Sequence, residues 1–277
     1  MKIGIGSYTF PWAVGVPKYA LENPMTALDL LQKAIAMKVD KVQFADNMPL
    51  HELTSEQRME IKTLADNAHI ELEVGTRGLY AEHIKVYAKI AYELSSPFLR
   101  VVIDDVDYSP NKDEIVRTIY AVLPVLKRYN IVLAIENHDR FTARILADII
   151  ELTDMEYVGV CLDTANSLGA GEGIDEVLSV LNPYTVNLHV KDVCIERLSH
   201  KMGFAVLGCP AGVGIIDIPN IIKSLATNRR LQSVTLEVWS DFLGTTTETV
   251  VREEVWAQQG IAYLKNIKPD FTKILNI

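Results

Sequence analysis

The sequence has no basic run. Its 27 Lys and Arg are outnumbered by 36 Asp and Glu, for a formal net charge of −9. A chain of that sign repels a phosphate backbone, which excludes nucleic acid as a partner held by its phosphates. Cysteine is scarce as well. Cys161, Cys194 and Cys209 are odd in number, and their spacing matches neither a disulfide framework nor a thiolate zinc motif, so a reducing, cytoplasmic compartment is expected. No apolar stretch approaches the roughly 18 residues of a membrane span, and MKIGIGSYTF at the start lacks an apolar core of signal-peptide length. A membrane partner is not expected. Linkers rich in Pro, Gly or Ser and low-complexity segments are missing too, which favours a single domain over 1–277.

What is present is an alternation of two periods. Short β-branched runs, beginning with KIGIG (2–6), alternate with longer segments of helical spacing such as 25–38, which carries Leu28, Leu31, Ile35 and Met37. The rhythm continues through KVQFA (41–45), LEVGT (72–76), FLRVVID (98–104), IVLAIE (131–136), VGVCLD (158–163), TVNLHVKD (185–192) and SVTLEVW (233–239). Helices are expected near 55–68, 80–94, 112–129, 143–153, 173–181, 218–226 and 247–266. Eight strand–helix units predict an α/β fold, a single (β/α)8 TIM barrel, with a long connection at 192–217 that caps the mouth or builds an interface. An open doubly wound sheet is the competing architecture. It usually carries a glycine fingerprint after its first strand, and GIGSYTF does not.

In such barrels chemistry sits at the carboxyl ends of the strands. Strand five ends in Glu136, strand six in Asp163, strand seven in His189 and strand eight in Glu237. Three carboxylates crowded into one mouth repel one another, and a divalent cation relieves the repulsion. Oxygen-rich ligands with one imidazole suit Mn or Mg, with Co or Zn also compatible.

The order IENH, CLDTAN, NLHVKD, TLEVW resembles the xylose-isomerase-like barrel superfamily of sugar isomerases, epimerases and related sugar-acid lyases. The resemblance covers nearly the whole chain and implies that Glu136, Asp163, His189 and Glu237 are the ligands of one divalent metal ion. There is a departure. Ketose 3-epimerases of this group follow the metal histidine with a Gly-Glu pair and then an Arg, whereas HVKDVCIER places Lys191, Asp192 and later Arg197 there. The opening GIGSYTFPWAVGVP together with IENHDRF is similar to barrel proteins of sugar-acid catabolism, including 3-oxo-isoapionate decarboxylases.

Period-two alternation puts Lys191 on the side of His189, and His138 on the side of Glu136. Trp239 follows Glu237 by the same step, while Tyr8 and Trp12 lie just beyond the first strand, where aromatic rings can wall a sugar. Arg77 closes strand three and can clamp an anion, so Arg77 and Lys191 together favour an anionic substrate; Arg100, near the start of strand four, is expected to be structural. The chemistry expected is isomerisation or epimerisation of a small keto sugar or sugar acid through a metal-held enediolate. Glu136 and Glu237 would exchange the proton, with Lys191 assisting. The alternatives are decarboxylation of a β-keto sugar acid such as 3-oxo-isoapionate, and a non-catalytic sugar-binding barrel; a homo-oligomer is compatible with each.

Overall fold

The computed structural model describes residues 1–19 and 21–274, with backbone alone for 268–274; Ala20 and 275–277, inside the expected domain span, lie outside the described residues. Seven parallel strands come first: β1 (Ile3–Gly6), β2 (Lys41–Phe44), β3 (Glu71–Arg77), β4 (Phe98–Val102), β5 (Val132–Glu136), β6 (Val158–Asp163) and β7 (Thr185–Val190). Next, β8 (Asp192–Arg197) and β9 (Phe204–Cys209) pair antiparallel with each other, outside the barrel. The strand β10 (Ser233–Leu236) then slots between β7 and β1 and closes a parallel barrel in the order β1-β10-β7-β6-β5-β4-β3-β2.

The helices α1 (Pro11–Val14), α2 (Ala27–Ala36), α3 (Ser55–Asn67), α4 (Ala81–Glu93), α5 (Lys112–Tyr129), α6 (Ala143–Glu151), α7 (Ile174–Leu181), α8 (Ile218–Leu225) and α9 (Thr246–Ile274) make the connections. Their starts are written into the chain. Thr26 with Asp29, Thr54 with Gln57 and Asn111 with Glu114 form reciprocal caps that satisfy otherwise unpaired amides at the heads of α2, α3 and α5. Ile115, Ile119, Val122 and Leu126 then form one buried stripe along α5, and each such side chain contributes about 1.5–3 kcal/mol by leaving water.

The barrel interior is polar on two levels. On the lower one, Lys41 Nζ lies 3.0 Å from Glu73 Oε1, and the Asn187 side-chain amide donates to Ser233 Oγ at 2.7 Å. This level neutralises itself, because its buried ammonium faces its own carboxylate. The upper level is the mouth.

The structure corrects the expected connection at 192–217, which holds the β8–β9 ribbon as well as a turn. Asp192 organises it. Its buried carboxylate accepts the backbone amides of Val193 (2.9 Å), Gly212 (2.9 Å), Gly214 (2.9 Å) and Ile216 (3.2 Å), so the PAGVG turn wraps around one side chain. At the far side, a Cβ on Gly208 would lie 1.8 Å from the Trp239 carbonyl oxygen, so only glycine lets the ribbon press so closely against the segment after β10. Strand seven stops at Val190 and strand eight at Leu236, earlier than expected, since the chain turns into the ribbon and into the loop before α9.

Candidate active site

The four residues expected as metal ligands converge. His189 is fully buried, and its Nε2 lies 2.7 Å from Gln43 Oε1, which assigns the ring proton to Nε2 and turns Nδ1 towards the mouth. That Nδ1 lies 2.9 Å from Glu237 Oε1 and 3.5 Å from Glu136 Oε2, aligned for a hydrogen bond to neither. Burial pushes the imidazole towards its neutral form, but Glu237 and Glu136 outweigh burial and raise its proton affinity. A nitrogen facing two carboxylates calls for a positive charge between them.

Local sequence explains the placement. In CLDTAN, Asp163 turns Oδ1 back onto the amides of Ala165 (2.8 Å) and Asn166 (2.9 Å), which starts the 3-10 turn Asn166–Ala170 and leaves Oδ2 facing inward. In IENH, the Asn137 side chain accepts from the Asp163 amide (2.6 Å) and donates to its carbonyl (2.9 Å), locking the end of β5 to the end of β6. Thr164 Oγ1 bridges the amide (2.9 Å) and carbonyl (2.7 Å) of Lys191. Each short motif ties one strand end to the next.

Lys191 is buried at the centre of this cluster. Its ammonium donates to Asp163 Oδ2 (2.6 Å) and Asn166 Oδ1 (3.1 Å) and forms an ion pair with Glu237 Oε2 at 2.9 Å. Burial disfavours the charge, yet Asp163 and Glu237 overcome that and raise its affinity for the proton. The same pairing sets the carboxylates. Burial works against ionisation of Glu237, but His189 and Lys191 outweigh it and hold the group below the usual carboxylate range. In Asp163 burial prevails over Lys191, with Glu136 and Glu237 adding to the upward shift.

Arg100 corrects the expectation of a purely structural role. It lies within β4, but its guanidinium climbs past Gly75, where a Cβ would come within 3.1 Å of Arg100 Cδ, and pairs through Nε with Glu136. Its second partner is Asp46, 2.5 Å from NH1. Asp46 also accepts from Arg77 Nε (3.0 Å) and from the Tyr8 hydroxyl (2.9 Å), while the Tyr8 ring lies under Arg100, its centroid 5.7 Å from the guanidinium carbon. Burial raises the Asp46 carboxyl, and the two arginines more than reverse it, to about 2. Glu136, raised by burial, is likewise pulled below its ordinary range by Arg100 and His189, and its Oε1 accepts from the Asn166 side-chain Nδ2 at 2.8 Å. The sequence names Arg100 only in a structural role and gives no sign of Gln43, Asp46 or Asn166 as site residues, although Gln43 lies in KVQFA and Asn166 in CLDTAN.

The remaining expected contacts are spread around the rim. Trp239 lies over Lys191, with Nζ 4.8 Å from the ring centroid, and with His138, Asn166, Leu168 and Val206 it lines a cavity of about 390 Å³. His138 does not touch the ion cluster; its Nδ1 is 2.6 Å from Asp139 Oδ1. Trp12 does not line that cavity but borders an adjoining one of about 280 Å³ that shares Val206 and Trp239 with it; its ring packs against Tyr19 and Phe242, with Nε1 donating to the Ser240 carbonyl. Arg77 borders a different cavity of about 440 Å³, together with Asp46, His51, Glu52, His83 and Asp105.

The residues fit a divalent cation. Ligand atoms of Asp163, His189 and Glu237 lie within 4.8 Å of one another, as do those of Glu136, Cys161 and His189, and His189, whose Nδ1 is without a hydrogen bond, belongs to both sets. Burial and the nearby carboxylates keep the Cys161 thiol protonated, and its Sγ lies 3.1 Å from Asn187 Oδ1, which leaves oxygen and imidazole donors as the available set. Arg100 and Lys191 already balance two of the three carboxylates, so a cation here meets less repulsion to relieve than the sequence suggested.

A (β/α)8 barrel with acids, an imidazole and a lysine gathered at the carboxyl ends of its strands defines the class. The sequence pattern of the xylose isomerase-like TIM barrel family matches residues 31–267, and the chain belongs to that family. Over 269 residues, 97% of each chain, it is 28% identical to a 3-oxo-isoapionate decarboxylase of Pectobacterium atrosepticum. Among solved structures, the D-psicose 3-epimerase of Clostridium cellulolyticum, determined with D-tagatose, resembles it with a TM-score of 0.70 at 17% identity, over 97% of this chain and 98% of its own. A xylose isomerase-like barrel protein of Mycobacterium smegmatis, determined with magnesium, does so with a TM-score of 0.67 at 12% identity, over 94% of this chain and 97% of its own. Among the described residues, no helix is long and apolar enough to cross a membrane.

Proposed function

We propose that the chain is an enzyme that decarboxylates a small β-keto sugar acid, of the kind exemplified by 3-oxo-isoapionate. The observation that carries this reading is that each glutamate able to act as a carbon base is paired with a buried cation, Glu136 with Arg100 and Glu237 with Lys191. A general base works best with a proton affinity near the operating pH, and these pairings push both groups the other way. Loss of carbon dioxide needs no carbon base. The full-length similarity to a decarboxylase supports the same choice.

The bond between the carboxylate and the α-carbon breaks, carbon dioxide leaves, and the electron pair moves onto the ketone oxygen as an enediolate, which is then protonated on carbon. Lys191, held protonated, offers its charge to that oxygen by exchanging the longest of its three contacts, the one to Asn166, for substrate. Asn166 orients both partners, since it also holds Glu136. His138, on the wall of the adjoining cavity, is placed to return the proton to carbon. A divalent ion held by Glu136, Asp163, His189 and Glu237, with Mn or Mg best suited to the donors, supplies Lewis-acid polarisation of the ketone when bound.

A second reading, isomerisation or epimerisation of a keto sugar, draws on the gathering of Glu136 and Glu237 around His189 Nδ1, at 3.5 and 2.9 Å, which brings two carboxylates able to transfer protons to one place. One screen tests both readings. Keto sugars and β-keto sugar acids are offered with Mn²⁺ while carbon dioxide release, optical rotation and solvent deuterium uptake are followed. Carbon dioxide from a keto sugar acid, without exchange into unreacted substrate, is the expected result. Exchange or epimerisation without carbon dioxide overturns the decarboxylase, and inactivity throughout favours a binding module.

A further inference from the structure

Two cavities flank the ion cluster, and their linings differ in kind. The one beside Arg77 also carries Asp46, Glu52 and Asp105, and the Arg77 Nε is already committed to Asp46. A carboxylate entering there meets three acids. The cavity beside Lys191 is walled by Leu168, Val206 and Trp239, which come from the 3-10 turn after β6, from the ribbon and from the loop after β10. Its one acid, Asp139, is paired with His138. All three apolar walls are substantially open to solvent, at 40%, 48% and 41% exposure, so packing the fold does not account for their meeting around one cavity.

Building on the decarboxylase reading, we propose that this cavity receives the substrate's carboxylate and that Val206, Leu168 and Trp239 promote its departure by withholding hydrogen bonds from it. A carboxylate loses its charge on becoming carbon dioxide, so surroundings that leave the charge unsolvated raise the ground state more than the transition state. The charge moves to the ketone oxygen, which is stabilised by Lys191, buried against two residues of the cavity lining, Trp239 and Asn166. The apolar wall and the ammonium thus act at opposite ends of the breaking bond, and the ribbon, pinned by Asp192 and Gly208, carries one side of the wall.

The test places an ammonium in the wall with Val206→Lys and uses Val213→Lys, an exposed site in the PAGVG turn, as a control of equal charge. Carbon dioxide release is measured on the substrate found in the screen, and calorimetry follows binding of the matching β-hydroxy acid, which cannot decarboxylate. The expected result for Val206→Lys is a kcat at least tenfold lower, tighter binding of the hydroxy acid and a KM that is unchanged or lower. Val213→Lys should behave as wild type. If wild type releases no carbon dioxide from any keto sugar acid, the decarboxylase reading falls and the subsite falls with it. If wild type is active while Val206→Lys leaves kcat and hydroxy-acid affinity unchanged, the subsite alone is wrong. The subsite is equally wrong if Arg77→Ala, rather than Val206→Lys, changes affinity for the acid, since the carboxylate would then lie in the other cavity.

Discussion

The two halves of the barrel mouth are built differently. The half formed by β5, β6, β7 and β10 places Glu136, Asp163 and His189 towards the ends of strands and Glu237 and Lys191 one step beyond β10 and β7. The half formed by β1 to β4 carries Tyr8, Asp46, Arg77 and Arg100 at several depths, from mid-strand to loop, joined through the single carboxylate of Asp46. The first half holds the groups that can meet substrate or metal. The second holds two of them in place, Glu136 through Arg100 and His189 through Gln43. The mouth thus separates acting on a ligand from positioning the groups that act, and changes in the two halves should fail in different ways.

The largest effect is expected from Arg100→Met, which leaves Glu136 and Asp46 without their shared guanidinium; breaking a buried pair of this kind costs about 3–5 kcal/mol, read as a lower urea midpoint. Acid sensitivity should move with it. A depressed carboxyl contributes stability that is present above its unfolded value near pH 3.9 and is lost as the pH falls through its folded value, about 2 for Asp46, so the variant should unfold at higher pH than wild type. An unchanged acid midpoint would show that the positioning half is not built on Asp46.

On the acting half, Lys191→Met should reduce kcat by about 10²–10³, the usual scale for losing one preorganised charge at a reacting oxygen, in a protein whose circular dichroism remains that of a folded barrel. Wild-type turnover would make the lysine a structural counter-ion. His189→Ala should weaken Mn²⁺ binding by more than about 100-fold in equilibrium dialysis, beyond the effect of losing a residue that merely supports a ligand. Equal affinity would place the cation elsewhere.

Glu237→Gln separates the chemistries more gently. A decarboxylase should retain turnover to within about tenfold once Mn²⁺ is raised to saturation, whereas an enzyme using this carboxylate as its carbon base should lose roughly 10²–10⁴ regardless of metal. The smallest effect belongs to Arg77→Ala. Its guanidinium is one-third exposed, so solvent screens its pair with Asp46 and the expected change is no more than about 1 kcal/mol in stability. A loss as large as that of Arg100→Met would erase the distinction between the two arginines.

How much of this was legible in the sequence follows the same division. The barrel is written in local signals, a switch between two periods and a capping pair at the head of α2, α3 and α5, because both depend on neighbours a few residues apart. The convergence of Glu136, Asp163, His189 and Glu237 was readable for a related reason: once the strands are placed in a barrel, all their carboxyl ends meet at one face. Lys191 followed by alternation, although its burial and its three contacts did not.

The other contacts depend on separations no local pattern carries. Arg100 stands 36 positions from Glu136 and 54 from Asp46, and its reach into the mouth depends on the missing side chain of Gly75 on the neighbouring strand. Gln43 meets His189 across 146 positions, and Asp192 gathers amides from as far as Ile216. Long side chains and backbone amides find such partners only after closure brings distant strands within a few ångströms of one another. Residue type and period therefore set the barrel and the face where its chemistry lies. Barrel closure set which charge neutralises which, and with it whether Glu136 and Glu237 are free to act as bases or are held as counter-ions.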